Sequence, residues 1–189
     1  MGLSHATRHR RILGTAAASL PLSLLLTGCW AGDDGSASGA DGKPAAAGTA
    51  VERCHTSGLS ASVGRGDAGA GQRSFSLALT NQSGRTCTVR GFPGAAFADA
   101  DGRQLGPDPV RVGKAPAGRI TLVAGESVWA ALSFPDPRLT GSKAEKPETL
   151  LITPPDERRP LSVRWENGEV PVSDGAELSV TAFAAESGG

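Results

Sequence analysis

Tyrosine is absent from this 189-residue chain, methionine occurs only as the initiator, and there are just three histidines and three cysteines. These shortages remove chemistry before any motif is read. A copper-handling site draws on Met, His or free Cys, yet beyond residue 28 the chain holds one histidine, His55, and no methionine. A Ser-His-Asp or Cys-His arrangement would have to be built on His55 alone. His55 stands next to Cys54 and reads as a surface or strand-end residue. No sustained 3.6-residue or heptad pattern of apolar residues occurs, which argues against a helical bundle. Acidic and basic residues balance to a formal charge of +0. Nucleic-acid binding rests on clustered Lys and Arg that neutralise phosphates, so no nucleic-acid partner is expected.

Long apolar runs are missing too. The stretch Ile12 to Leu26 covers about 15 residues, within the range of a signal-peptide core and short of the roughly 18 to 20 that span a bilayer. Arg8, Arg10 and Arg11 precede it, and Leu26-Thr27-Gly28-Cys29 closes it. That order reads as a bacterial lipoprotein signal over residues 1–28, with Cys29 diacylated to become the mature amino terminus. Uncleaved anchorage and a plain secretory signal are the alternatives. Arg10-Arg11 also leaves export by a twin-arginine route open beside the general one. The expected location is the extracytoplasmic face of the cell membrane, held by an N-terminal diacylglyceryl anchor. Two chains hold more firmly than one, because each buried methylene contributes about 0.8 kcal/mol. Loss of the three leader arginines makes the mature chain weakly acidic.

Residues 29–51 are dominated by Gly, Ala, Ser and Asp and offer almost nothing to bury, so they are expected to form a disordered tether. As a flexible coil, about 21 residues reach an r.m.s. span near 25 Å. Asp33-Asp34 within it reads as a solvated pair. With Cys29 acylated, Cys54 and Cys87 are left to pair with each other, and an exported protein meets an oxidising setting in which a disulfide persists. A pair of free buried thiols is the alternative.

Residues 52–185 carry a period-two pattern, the mark of half-buried strands. Leu59, Ala61 and Val63 alternate before a Gly-rich break, and Phe75, Leu77 and Leu79 share one side. Turn chemistry at Asn81-Gln82-Ser83-Gly84 precedes Thr86 to Val89. Ala95 to Ala98 leads into the Asp99-Ala100-Asp101-Gly102 turn before Arg103 to Leu105. Short extended pieces follow at Val110 and Val112 and at Ile120 and Leu122, then Val128, Ala130, Leu132 and Phe134 alternate. Pro135 to Pro147 reads as a polar loop. Leu150 and Ile152 form a strand that Pro154-Pro155 ends. Leu161, Val163 and Trp165 form the next, and Asn167-Gly168 is a hairpin turn. Val170 and Val172, then Leu178, Val180 and Ala182, complete the set, and residues 186–189 are expected to fray. Eight or nine strands at this spacing predict an all-β fold, an immunoglobulin-like antiparallel β-sandwich. A small open barrel is the alternative.

Taken in order, Cys54, Asn81 to Cys87, Gly91-Phe92-Pro93-Gly94, Asp99 to Gly102, Ala124-Gly125-Glu126 and Thr153-Pro154-Pro155 resemble an actinobacterial secreted and lipoprotein family, domain of unknown function 4232. The resemblance spans about Cys54 to Phe183. It implies an extracytoplasmic β-sandwich stapled by Cys54 and Cys87, and it implies no activity. Family members often carry a second cysteine pair, one before the Thr-Pro-Pro strand and one after the tryptophan-bearing strand. Pro135 to Pro147 and Val170 to Val172 contain none here, which predicts a mobile loop at Gly141 to Lys146.

No catalytic residue, cofactor or metal emerges. Asp99, Asp101 and Gly102 match part of a calcium loop. With Gly102 on that loop's glycine, however, Phe97 falls on the first ligand position and Asp108 where a bidentate glutamate belongs, so a hairpin turn is expected. Spacing leaves paired-carboxylate hydrolysis open, but Glu126, Asp136, Glu145, Asp156 and Glu157 fall in predicted turns, where acids are ordinary solvated caps. Trp165 shares a face with Leu161 and Val163 and reads as core. Trp129 lies opposite Val128 and Ala130, a candidate interaction anchor for an envelope protein or glycan. The function expected is a non-catalytic binding module of the envelope; the rivals are a carboxylate hydrolase and a passive structural lipoprotein.

Overall fold

The computed structural model describes residues 50–185. The leader, Cys29, most of the tether and the four C-terminal residues lie outside that range.

A 3-10 turn at Thr56–Gly58 opens the described chain. It leads into β1 (Leu59–Gly69), β2 (Gln72–Asn81), β3 (Cys87–Val89), β4 (Gly94–Ala98), β5 (Gln104–Leu105), β6 (Val110–Val112) and β7 (Ile120–Leu122). Strand β8 (Ser127–Pro135) precedes a four-residue helix, α1 (Pro137–Thr140). Then come β9 (Ala144–Glu145), β10 (Thr149–Thr153), β11 (Leu161–Arg164), β12 (Val170–Pro171) and β13 (Ser179–Thr181).

A five-stranded sheet runs β1-β2-β8-β13-β6 and a four-stranded sheet runs β11-β10-β4-β5; two-stranded ladders β9–β12 and β3–β7 flank them. The fold is an all-β sandwich and not a closed barrel. Every pairing is antiparallel except β6 with β13.

Period two explains the layers. Phe75, Leu77 and Leu79 of β2 and Val128, Ala130, Leu132 and Phe134 of β8 point into one core with Phe97 of β4 and Leu150 and Ile152 of β10. Aromatic rings bridge the sheets at the centre. Phe75 and Phe97 each lie 4.8 Å from Trp165 between ring centroids, edge to face, and Phe134 stacks on Phe75 at 5.4 Å. Such pairs add about 0.5 to 1.5 kcal/mol beyond the area that they bury. Trp165 is 2% exposed, as expected of a core residue, and its indole N–H donates to the Gly168 carbonyl at 2.8 Å.

The structure corrects the sequence reading at four places. The expected Gly-rich break after Val63 is the second half of one strand. β1 stays paired with β2 through Gly69, and its register shifts between Val63 and Gly66, a bulge. Glycine is required at Gly66, because a Cβ there would fall on the buried Phe75 ring. The hairpin turns at Ala70 and Gly71, both at positive φ. Strand number is the second difference, thirteen among the described residues against eight or nine, because the short pieces read at Thr86 to Val89, Arg103 to Leu105, Val110, Ile120 and Val170 each pair as strands of their own, and β9 adds one that the sequence did not show. Third, Asn167-Gly168 joins no hairpin: β11 pairs with β10 and β12 with β9. Fourth, Pro135 to Pro147 is not a loop throughout. It holds α1 and β9, and within it Gly141 to Lys146 is tied down by the β9–β12 ladder and by the Val172 N–H donating to Lys143 O at 2.9 Å. The two segments that carry the second cysteine pair in the resembling family are joined here by backbone hydrogen bonds.

Candidate functional site

The disulfide end of the sandwich is built by residues distant in sequence. Cys54 and Cys87 are bonded, and the segment before them lies along β3, with the Cys54 N–H donating to Thr88 O at 2.9 Å and the Thr88 N–H to Glu52 O at 2.8 Å. Closing a loop with a sequence separation of 33 stabilises the fold by about 3 to 4 kcal/mol on the chain-entropy account.

Beside the disulfide, Glu157 gathers the incoming strand. The Thr56 N–H donates to Glu157 Oε2 at 3.1 Å, and the Thr56 hydroxyl lies 2.9 Å from the same oxygen. Arg53 Nη1 sits 2.8 Å and His55 Nδ1 3.1 Å from Oε1, and Arg53 also donates to the Asp156 carbonyl. The hydrogen bonds from Thr56, followed by those from His55 and the charge of Arg53, hold the Glu157 carboxyl at about 2 against an ordinary 4.5. His55 is exposed, as expected. Sequence reading treated Glu157 as a solvated cap, but its side chain is only 14% exposed and acts as a clamp. An ionised carboxylate with both oxygens engaged is a poor general acid near neutral pH.

Asp136, Glu126 and Glu145 are likewise engaged locally, whereas Asp156 is exposed and offers only its backbone carbonyl, to Arg53. Asp136 caps α1, accepting from Arg138 N at 3.0 Å and Arg138 Nη2 at 2.7 Å. The Arg138 guanidinium is the main reason that its carboxyl lies at about 2. Its side chain is buried, not solvated. Glu126 Oε2 accepts from Val123 N, and Glu145 pairs with Lys143. Asp99 accepts from the N–H groups of Asp101 and Arg103 and from the Arg103 guanidinium. That is the geometry of a hairpin turn between β4 and β5, as expected. Among the described residues, no group of three or more His, Cys, Asp or Glu side chains could hold a metal ion.

Trp129 lies on the outer face of the five-stranded sheet, half-buried. It faces Ala78 across β2 and bonds through its backbone to Ala184, with the Trp129 N–H to Ala184 O at 2.9 Å and the return bond at 2.8 Å. Around it a groove of about 350 Å³ is lined by Asp67, Ser74, Ser76, Ala131 and Thr181. No part of Gly141 to Lys146 borders it. The polar floor is already satisfied in part: Ser133 Oγ donates to Ser74 Oγ, and the Ala131 N–H to Thr181 Oγ1.

Asn81 escaped sequence reading as anything more than a turn residue. It is fully buried, donates through Nδ2 to the carbonyls of Arg85 and Leu122, and accepts from the N–H and hydroxyl of Ser83. It locks the turn before Cys87 to the end of β7.

No curated protein and no solved structure matches this chain. One family model does match, over residues 54–184, the range that begins at the first half-cystine and ends at Ala184, which bridges to Trp129. On that match the chain belongs to the family described as Domain of unknown function (DUF4232).

Proposed function

We propose that this protein is a lipid-anchored, non-catalytic binding module on the extracytoplasmic face of the cell membrane, recruiting a protein or glycan of the envelope. The anchoring part rests on the leader, with arginines before a short apolar core and Cys29 after Gly28. The observation that carries the binding part is the Trp129 groove. It sets a large aromatic side chain on an otherwise small-residue and hydroxyl-bearing sheet face, next to one carboxylate, Asp67. Aromatic residues at the centre of a depression supply contact area at low entropic cost and are enriched among the residues that dominate binding.

Photo-cross-linking in intact membranes tests this reading, with the reactive group placed at Ser76 beside the groove. A discrete adduct that disappears in Trp129→Ala, while thermal stability is retained, is the expected result. An adduct pattern unchanged by Trp129→Ala contradicts the groove as the binding site. Turnover of a glycan or ester substrate abolished by a single Glu→Gln change would make the protein a hydrolase instead.

A further inference from the structure

The near-neutral charge of the chain hides an uneven distribution. Around the disulfide, two adjoining depressions share Arg53 and Cys54; one is bordered by Arg85, the other by Arg90 and Arg119. Arg158 and Arg159 follow Glu157 at the same place, with the Arg159 carbonyl 3.1 Å from the Thr56 hydroxyl. Arg85, Arg90, Arg119, Arg158 and Arg159 are all exposed, and none forms an ion pair among the described residues. Against them stand Glu52, Glu126 and Asp156, since Glu157 is matched by Arg53. The opposite ends of the strands carry acids that form no ion pair among the described residues, including Glu169, Asp174 and Glu177.

Exposed apolar residues also occur elsewhere, at Val110 and Leu139, but two further features belong to the basic end. Val51 and Val123 are large apolar residues 45% and 48% exposed. Val51 adjoins Glu52, which bonds β3, and Val123 follows Leu122, the partner of Cys87. In addition, Glu52 and Cys54 pair along β3 at this end, so the segment that carries Cys29 joins the domain at its basic end.

We infer that this end docks on an anionic phospholipid bilayer, so that the domain lies against the membrane with Trp129 to the side and the acidic end outward. The inference rests on the lipid anchor proposed above, because a tether of this length raises the effective concentration of headgroups at the patch to about the millimolar range. Weak contacts then suffice. Each Lys or Arg near an anionic surface strengthens attachment about fivefold, and the effect fades within about 8 Å at physiological salt. The exposed valines add apolar contact at the headgroup boundary.

The test uses the chain from residue 29 onward with Cys29→Ser, which cannot be acylated, so the patch is read apart from the anchor. Co-sedimentation with phosphatidylglycerol vesicles is expected to exceed that with phosphatidylcholine vesicles and to fall steeply with salt. The triple variant Arg85→Gln, Arg90→Gln and Arg119→Gln should weaken it about 100-fold. Glu166→Gln with Glu169→Gln should leave it unchanged, and equal thermal stability of all variants shows that they fold. Equal binding to both vesicle types, or a triple variant that binds like the parent, overturns the inference. So does binding to soluble polyphosphate with none to vesicles, which makes the partner an anionic polymer. A failed sedimentation with Cys29 found acylated in cells removes the docking and leaves the anchor. Salt-sensitive sedimentation with Cys29 found bare removes the anchor and leaves the docking.

Discussion

Glu157 shows how a single residue acquires a role that its neighbours in sequence do not announce. Its four partners lie on Arg53, His55 and Thr56, about a hundred positions earlier, and a loop acid between Asp156 and Arg158 looks like any other. Asn81 is similar: a turn signal was legible, but not that its amide would be buried between two carbonyls. Trp165 was readable because its face is shared with Leu161 and Val163 on its own strand. A depressed carboxyl contributes stability that is present above its ordinary value and lost as pH falls through the folded one. For Glu157 that window runs from 4.5 down to about 2. Glu157→Gln should therefore lose about 1 to 3 kcal/mol at neutral pH, the worth of hydrogen bonds to a charged group. Its stability should then fall less steeply than the parent's on acidification. Urea unfolding at successive pH steps measures both, and parallel stability curves for parent and variant would contradict the clamp.

At the scale of elements, most strands lie where alternation or a flanking turn placed them, and the exceptions are β9 and the glycine-bearing second half of β1. β2, β8, β10 and β11 appear where period two placed them, because each presents at least two apolar side chains to one core. β1 was cut short in the sequence reading because Gly64, Gly66 and Gly69 contribute no side chains to the pattern. Its second half is held by ladder hydrogen bonds to β2, and the Phe75 ring lies over the bulge. β9 and β12 are two residues each, and their pairing is a long-range event that no local pattern encodes. Gly66→Ala should destabilise by about 1 to 3 kcal/mol through overpacking against Phe75, whereas Gly69→Ala, with nothing within 4 Å of the added Cβ, should cost little. Thermal denaturation of the pair measures the difference; equal losses would contradict the packing of Phe75 over the bulge.

For the whole molecule, the sandwich was legible from alternation and turns, and the pairing of Cys54 with Cys87 from cysteine count together with the export signal. The charge segregation was not, since composition sums to zero and only topology gathers the arginines at one end. Fold, proposed anchor and basic end form one picture, a sheet domain joined at its disulfide end to a terminus that we propose to be acylated. Mass spectrometry of the N-terminal peptide from envelope preparations tests that picture most directly. The account predicts a peptide beginning at Cys29 with a diacylglyceryl thioether on its sulfur. A bare Cys29 thiol, or a chain with residues 1–28 still attached, would contradict it.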